Sequence, residues 1–322
     1  MNKKRVLVTG GGGFIGSHLT DRLIHDGHDV AVLDNEITGC QENVNSAALY
    51  VRGDVTNWDC LEAVFAQSFD AVFHVAGQAS TFKSFISPEE DLRTNVFGAI
   101  NVIKMCIKHH VPRLLYASSM TVYGNPNLIP TPESELCKPI SYYGITKYAA
   151  ERYIHATAAR NDLGFDFNTT SFRMFNVYGE RQSLANPYQG VVGIFIGNIL
   201  RGEQITIHSD GEQTRDFIYI RDVVDAWMFA LDCPAAFGQV FNLGSGISCS
   251  INYLVDAIRS VAKGVTANSK IQYEKVRPGD QRYMTADIKK VQTALNWAPR
   301  VSLKNGMENT IRWALSNSEL HK

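Results

Sequence analysis

The chain has 322 residues, enough for one large α/β domain or two ordinary ones with a full core. Its 45% apolar and 20% charged composition is that of a globular protein, and a net charge of -1 at pH 7 excludes nucleic acid held by bulk electrostatics. The six cysteines, at 40, 60, 106, 137, 233 and 249, form no CxxC pair and no cluster with histidine, so they read as dispersed free thiols of a cytoplasmic protein, with no disulfide framework and no metal site.

Arg5 to Thr9 reads as a short buried strand, and the basic start before it leads into no apolar stretch of signal-peptide length. A helix follows, with Ile15, Leu19, Leu23 and Ile24 on one face and Gly27 at its C-terminal end. Asp29 to Leu33 is the next strand; Leu49 to Arg52, Ala71 to Ala76 and Arg113 to Ser118 follow, separated by helices near Trp58 to Ala66 and Asp91 to His110. This alternation predicts right-handed βαβ units and a Rossmann-type, doubly wound parallel sheet.

After residue 173 the rhythm changes. A polar, turn-rich stretch, Gly179 to Gly190, precedes a helix at Val191 to Arg201, a short strand at Gln204 to His208 and a helix at Val223 to Leu231. The apolar run from Val191 to Leu200 is broken by Gly193 and Gly197 and is too short to cross a bilayer, so no membrane partner is expected. Gln239 to Leu243 is placed to return to the main sheet, and helices are expected near Ile251 to Ala262, Ile288 to Leu295 and Leu303 to Ser316. The expected division is a first unit at 1–173, with 222–250 returning to it, and a smaller α/β lobe made mainly of 174–322.

Gly10, Gly13 and Gly16 lie between the first strand and the first helix, followed at the helix start by Phe14 and Ile15. Glycine there permits a tight turn, close approach of backbone to a pyrophosphate, and packing of helix on strand. Asp34 closes the second strand about 20 residues on, where a carboxylate grips ribose hydroxyls and repels a 2′-phosphate, so NAD is favoured over NADP. Asn35 beside it, Asp54-Val55 after the third strand and Val75-Ala76-Gly77 after the fourth stand where open α/β sheets bind ligands, and Asn95 completes the candidate cofactor set.

Two further signals concern proton transfer. Tyr143 and Lys147 are four apart, on one face of a helix. A phenol has a pKa of about 10, and a neighbouring ammonium and a cationic nicotinamide both favour its phenolate. Ser119 ends the strand that precedes this helix and is placed to share a substrate hydroxyl's proton. The spacing alone is a weak signal; its order, after a glycine turn and a serine, is what carries it.

At these residues the chain resembles the extended short-chain dehydrogenase/reductases of the nucleotide-sugar epimerase/dehydratase group. TGGGGFIG, ASSMTVYG, YGITK, FNVYG, DGEQTRDFIYIRDVVDA and RPGD follow in family order over nearly the whole length. The resemblance implies retained NAD, a nucleotide sugar in the C-terminal lobe, and a homodimer packed through helices corresponding to Asp91 to His110 and Tyr142 to Arg160. It also implies substrate contacts for Ser119, Tyr143 and Asn176, phosphate-binding roles for Arg215 and Arg277, and a gatekeeper role beside the sugar 2-substituent for Met284.

Departures narrow the branch. Met120-Thr121 stands where dehydratases carry Asp-Glu, so elimination of water is disfavoured, as is decarboxylation. Asn176 within FNVYG, and Ser183-Leu184 after Arg181-Gln182, depart from uronate epimerases. The pattern is similar to the UDP-glucose/UDP-galactose 4-epimerases. Methionine at 284 is intermediate in size and does not decide whether N-acetyl sugars are accepted. A reductase, an epimerase at another carbon, and a silent NAD-binding module remain as alternatives.

Overall fold

The computed structural model describes residues 2–188, 190–262 and 269–317. The strands are β1 (Arg5–Thr9), β2 (Asp29–Asp34), β3 (Leu49–Arg52), β4 (Ala71–His74), β5 (Arg113–Ser119), β6 (Asn168–Met174), β7 (Asn176–Tyr178), β8 (Ile205–His208), β9 (Thr214–Tyr219), β10 (Gln239–Leu243), β11 (Ser248–Ser250) and β12 (Ile271–Glu274). Seven form one parallel sheet in the order β10-β6-β5-β4-β1-β2-β3. The chain winds outward from β1 in both directions, so a crevice opens beyond the carboxyl ends of β1 and β4, where such sheets bind ligands.

Both faces of this sheet are covered, which is why its strands are continuous apolar runs rather than alternating ones. Val6, Val8, Val32 and Phe73 pack on one face with Trp227 of the helix Ile220–Leu231. Leu7, Leu33, Val72 and Tyr116 pack on the other with Val102 and Ile154, from helices Gly98–Lys108 and Tyr142–Ala158. A three-stranded sheet (β11-β9-β7) and a two-stranded one (β12-β8) lie beyond the main sheet.

The helix predicted from Asp91 to His110 is three pieces: Pro88–Leu92, a π-turn at Arg93–Phe97, and Gly98–Lys108. The wider turn places Asn95 inside, where its amide Nδ2 donates to Asp91, Thr146 and the Gln78 carbonyl. Five strands that the spacing does not announce, β6, β7, β9, β11 and β12, complete the main sheet and the two smaller ones.

Candidate active site

The glycine turn begins where β1 ends. Gly10 has φ +72°, and a Cβ there would lie 2.7 Å from the Ala76 nitrogen; one on Gly16 would lie 2.1 Å from the Gly10 carbonyl oxygen. The turn, the next helix and the end of β4 therefore approach more closely than any side chain permits. The helix Phe14–His25 starts at Gly13 with no side-chain cap and no acid in its first turn. Its free N–H groups and positive dipole end face the crevice, an arrangement made for an anion.

Asp34 is buried at the second strand's end, accepting from the Gly12 N–H at 2.9 Å and the Glu36 N–H at 2.8 Å. Asn35 donates to Asp54 at 2.7 Å. Burial would raise the Asp54 carboxyl, but this bond and those from Thr56 outweigh it and hold it below the usual carboxylate range. A cleft of about 400 Å³ runs over these elements. Gly10, Gly13, Phe14, Ile15 and Gly16 line one end, with Asp34 and Asn35. Val55, Val75, Ala76 and Gly77 line its floor. Asp54 and Asn95 stand behind that lining, and the buried Asn95 Oδ1, facing Gly77, has no protein partner. A glycine cradle, a helix N-terminus, a buried carboxylate and an unused buried acceptor together fit a dinucleotide.

The other end of the cleft holds Ser119, Tyr143 and Lys147. Ser119 ends β5 and caps a short helical turn, Met120–Tyr123, accepting from the Thr121 N–H at 3.2 Å and from its hydroxyl at 2.9 Å. Ser141 caps the helix Tyr142–Ala158 by accepting from the Gly144 N–H at 3.1 Å. Tyr143 and Lys147 follow one turn apart. Burial pushes the Tyr143 phenol up to about 12, while a hydrogen bond from Ser119 works in the opposite sense. Burial pushes the Lys147 ammonium down to about 8, against the pull of Asp91 and Glu151. Its Nζ lies 4.5 Å from the centre of the Tyr116 ring. The expected depression of the phenol by Lys147 is thus not present in the chain alone: enclosure dominates, and the ammonium faces Tyr116.

The predicted substrate residues are dispersed. Asn176 lines the cleft, anchored by donation to the Asp216 carbonyl at 3.2 Å. Arg215 is largely buried outside that lining, 4.0 Å from Asp280, and burial pushes its guanidinium down. Arg277 lines a separate open groove with His208, its guanidinium 5.6 Å from the centre of the Phe82 ring. Met284 is fully buried in a cluster with Met120 and Phe175, which line the cleft while it does not. Sequence spacing announced neither Lys83 nor Gln182, both in the cleft wall, nor the Phe82–Tyr188 stack at 5.6 Å. Lys83 follows the carboxyl end of β4, and that position was the available signal.

Residues 6–244 match the model of the NAD dependent epimerase/dehydratase family. The chain belongs to this family. It is 37% identical to a putative UDP-glucose 4-epimerase of Methanocaldococcus jannaschii, over 97% of this chain and 99% of that protein. Among solved structures it resembles the UDP-glucose 4-epimerase of Thermotoga maritima with UDP-glucose (36% identity, TM-score 0.91, covering 98% of this chain and 99% of that one). It also resembles the Thermus thermophilus UDP-glucose 4-epimerase complexed with NAD (32% identity, TM-score 0.89, covering 97% and 99%). Family membership agrees with the sheet order, the glycine turn and the Tyr-Lys helix described above. Among the described residues no cluster of three His, Cys, Asp or Glu could hold a metal, and no helix is long and apolar enough to cross a membrane.

Proposed function

We propose that the chain is an isomerase, an NAD-dependent nucleotide-sugar 4-epimerase acting on UDP-glucose and UDP-galactose or their N-acetyl forms. The observation that carries this is the single cleft with a dinucleotide cradle at one end and Ser119, Tyr143 and Lys147 at the other. The Gly10–Gly16 turn would hold the pyrophosphate, Asp34 the adenosine ribose and Lys147 the nicotinamide ribose, all of them lining the cleft. When bound, NAD supplies a reversible hydride acceptor and a positive charge beside the phenol.

Tyr143 would take the proton from the sugar 4-hydroxyl, with Ser119 sharing that hydrogen bond, as C4 loses its hydride to the bound cofactor, leaving a 4-keto sugar. Asn176, in the cleft wall, would hold the diphosphate end while the sugar turns over; C4 would then regain hydride on its opposite face as Tyr143 returns the proton to O4. The cycle is redox-neutral. Residues 1–173 with 222–250 form the cofactor unit in this reading, and 174–322 mainly the substrate lobe. Exposed Leu92 and Phe97, and exposed Tyr142, Ile145 and Tyr153 on the Tyr-Lys helix, support a homodimer packed through these two segments. Dispersed free thiols support a cytoplasmic location.

The test is proton NMR of the purified protein with UDP-galactose and no added NAD. The expected result is conversion to UDP-glucose. No conversion by protein that carries NAD refutes the assignment to this sugar pair.

A further inference from the structure

From Ser118 in the cleft wall a buried polar network runs inward that the proposed reaction does not use. Tyr143, Lys147 and Glu151 fall four apart along one face of the helix Tyr142–Ala158. The Glu151 carboxylate receives two bonds from Arg173 of β6, at 3.1 Å to Oε2 and 2.6 Å to Oε1, and one from the Ser118 hydroxyl at 2.7 Å. Arg173 donates its remaining Nη1 to the Tyr123 hydroxyl at 3.0 Å and to the Glu133 carbonyl at 3.3 Å. Tyr123 in turn donates to Asn242 of β10 at 2.7 Å, and Asn242 donates to the Asp287 carbonyl at 3.2 Å. Side-chain exposure is 2% at Glu151 and 7% at Arg173.

The connectivity is informative. Ser118 and Tyr123 are the two ends of the short segment that carries Ser119, and both are tied to the same ion pair. The carboxylate of that pair stands on the helix that carries Tyr143 and Lys147. A buried ion pair is a weak source of stability compared with apolar packing of the same shape. What this one supplies is a fixed distance and register between two elements.

We infer that Glu151, with Arg173, is the positioning residue of the proton-transfer site, setting the Ser119 segment against Tyr143 and Lys147. The inference rests on the 4-epimerase reading for its kinetic test. Glu151 also faces Lys147 electrostatically, together with Asp91, while His74, Tyr116 and Tyr143 are its other titratable neighbours.

The experiment compares the parent holoenzyme with Glu151→Gln and Ser118→Ala, using UDP-galactose. For E151Q the expected fall in kcat is about 10- to 100-fold, the cost of a small misplacement of reacting groups, with KM changed less than about three-fold. Loss of the carboxylate also shifts the alkaline limb of kcat to lower pH, because Lys147 loses one of the two anions that hold its proton. S118A, which removes a single bond, gives a smaller fall in kcat at unchanged KM, and Ser118→Thr restores it. Hydrogen–deuterium exchange is the activity-free arm: E151Q raises exchange together in 119–123 and 142–148. If E151Q does not fold, S118A and its threonine rescue decide. A parental kcat and parental exchange in S118A and in any folded E151Q overturn the inference. A parent inert on nucleotide sugars instead sinks the 4-epimerase reading, and the exchange comparison still decides the inference.

Discussion

Gly16→Ala tests the cofactor cradle most directly. The added Cβ would stand 2.1 Å from the Gly10 carbonyl oxygen, 2.7 Å from the Gly11 Cα and 2.8 Å from the Gly10 carbonyl carbon. All three are backbone atoms of the turn itself, so no flexible side chain can give way. Reaching ordinary contact requires an opening of more than about 1 Å. Overpacking of this kind costs about 1–3 kcal/mol, partly offset by the gain of about 0.5–1 kcal/mol for alanine over glycine within a helix. The expected net loss is about 1–2 kcal/mol, a drop of a few degrees in Tm. The functional effect is larger, because the displaced atoms are the ones that approach the pyrophosphate. NAD per protomer, measured by extraction from purified protein, should fall to a small fraction of the parent value. Gly27→Ala is the control: φ is +88°, so the substitution is strained, but a Cβ there meets nothing within 4 Å. It should lower stability by about 1–2 kcal/mol and leave NAD content unchanged. A G16A protein that keeps its full NAD, or a G27A protein that loses it, would refute this account of the turn.

Tyr143→Phe should retain NAD and lose about 100- to 10,000-fold in kcat, read by NMR of UDP-galactose conversion; turnover near the parent's excludes the phenol as base. Burial pushes the His74 imidazole down to about 3, so the folded protein keeps it neutral while the unfolded chain protonates it below about 6.5. Stability should therefore fall as pH drops from about 6.5 toward 3, by up to roughly 5 kcal/mol, and denaturant titrations of His74→Asn should lack most of that loss. Phe97→Glu combined with Ile145→Glu should turn a dimer into a monomer by analytical ultracentrifugation; a parent that is already monomeric removes the proposed interface.

The strands that sequence made legible are those buried by apolar side chains. Val30 to Leu33 and Ala71 to Phe73 announce themselves because both sheet faces are covered there. β6 is equally buried but reads Asn-Thr-Thr-Ser-Phe-Arg-Met, since several of its polar groups find partners only in the folded chain. Thr170 accepts from Arg113 at 2.7 Å, and Ser171 pairs with His155 at 2.9 Å. No local pattern carries such long-range satisfaction. The π-turn at Arg93–Phe97 is silent for a similar reason: the apolar spacing of 98–108 continues the helical period, and the wider turn follows from what Asn95 bonds to. In the site, glycine and aspartate positions were readable because backbone geometry demands them. The positions of Arg277 and Met284 depend on how residues 275–288 pack across the chain, and motif order gives no information about that.

The electrostatics of the proton-transfer end separate what this chain prepares from what its occupants must supply. A phenol held near 12 and an ammonium held near 8 are both penalised in their charged forms, and by one cause, enclosure. Enclosure alone makes a poor base, so the cleft is built against spontaneous ionisation of Tyr143. The same enclosure strengthens the effect of any positive charge that enters beside the phenol, because a low dielectric weakens screening. The chain's part is then geometric: Ser119 is within bonding reach of Tyr143, Lys147 is held over Tyr116, and both supporting segments are tied to Glu151. In such a site, a positive charge beside the phenol, which bound NAD would supply, would favour its ionisation. That matches a reaction in which the hydroxyl proton and the hydride of the carbon bearing it must leave together and return without the keto sugar escaping.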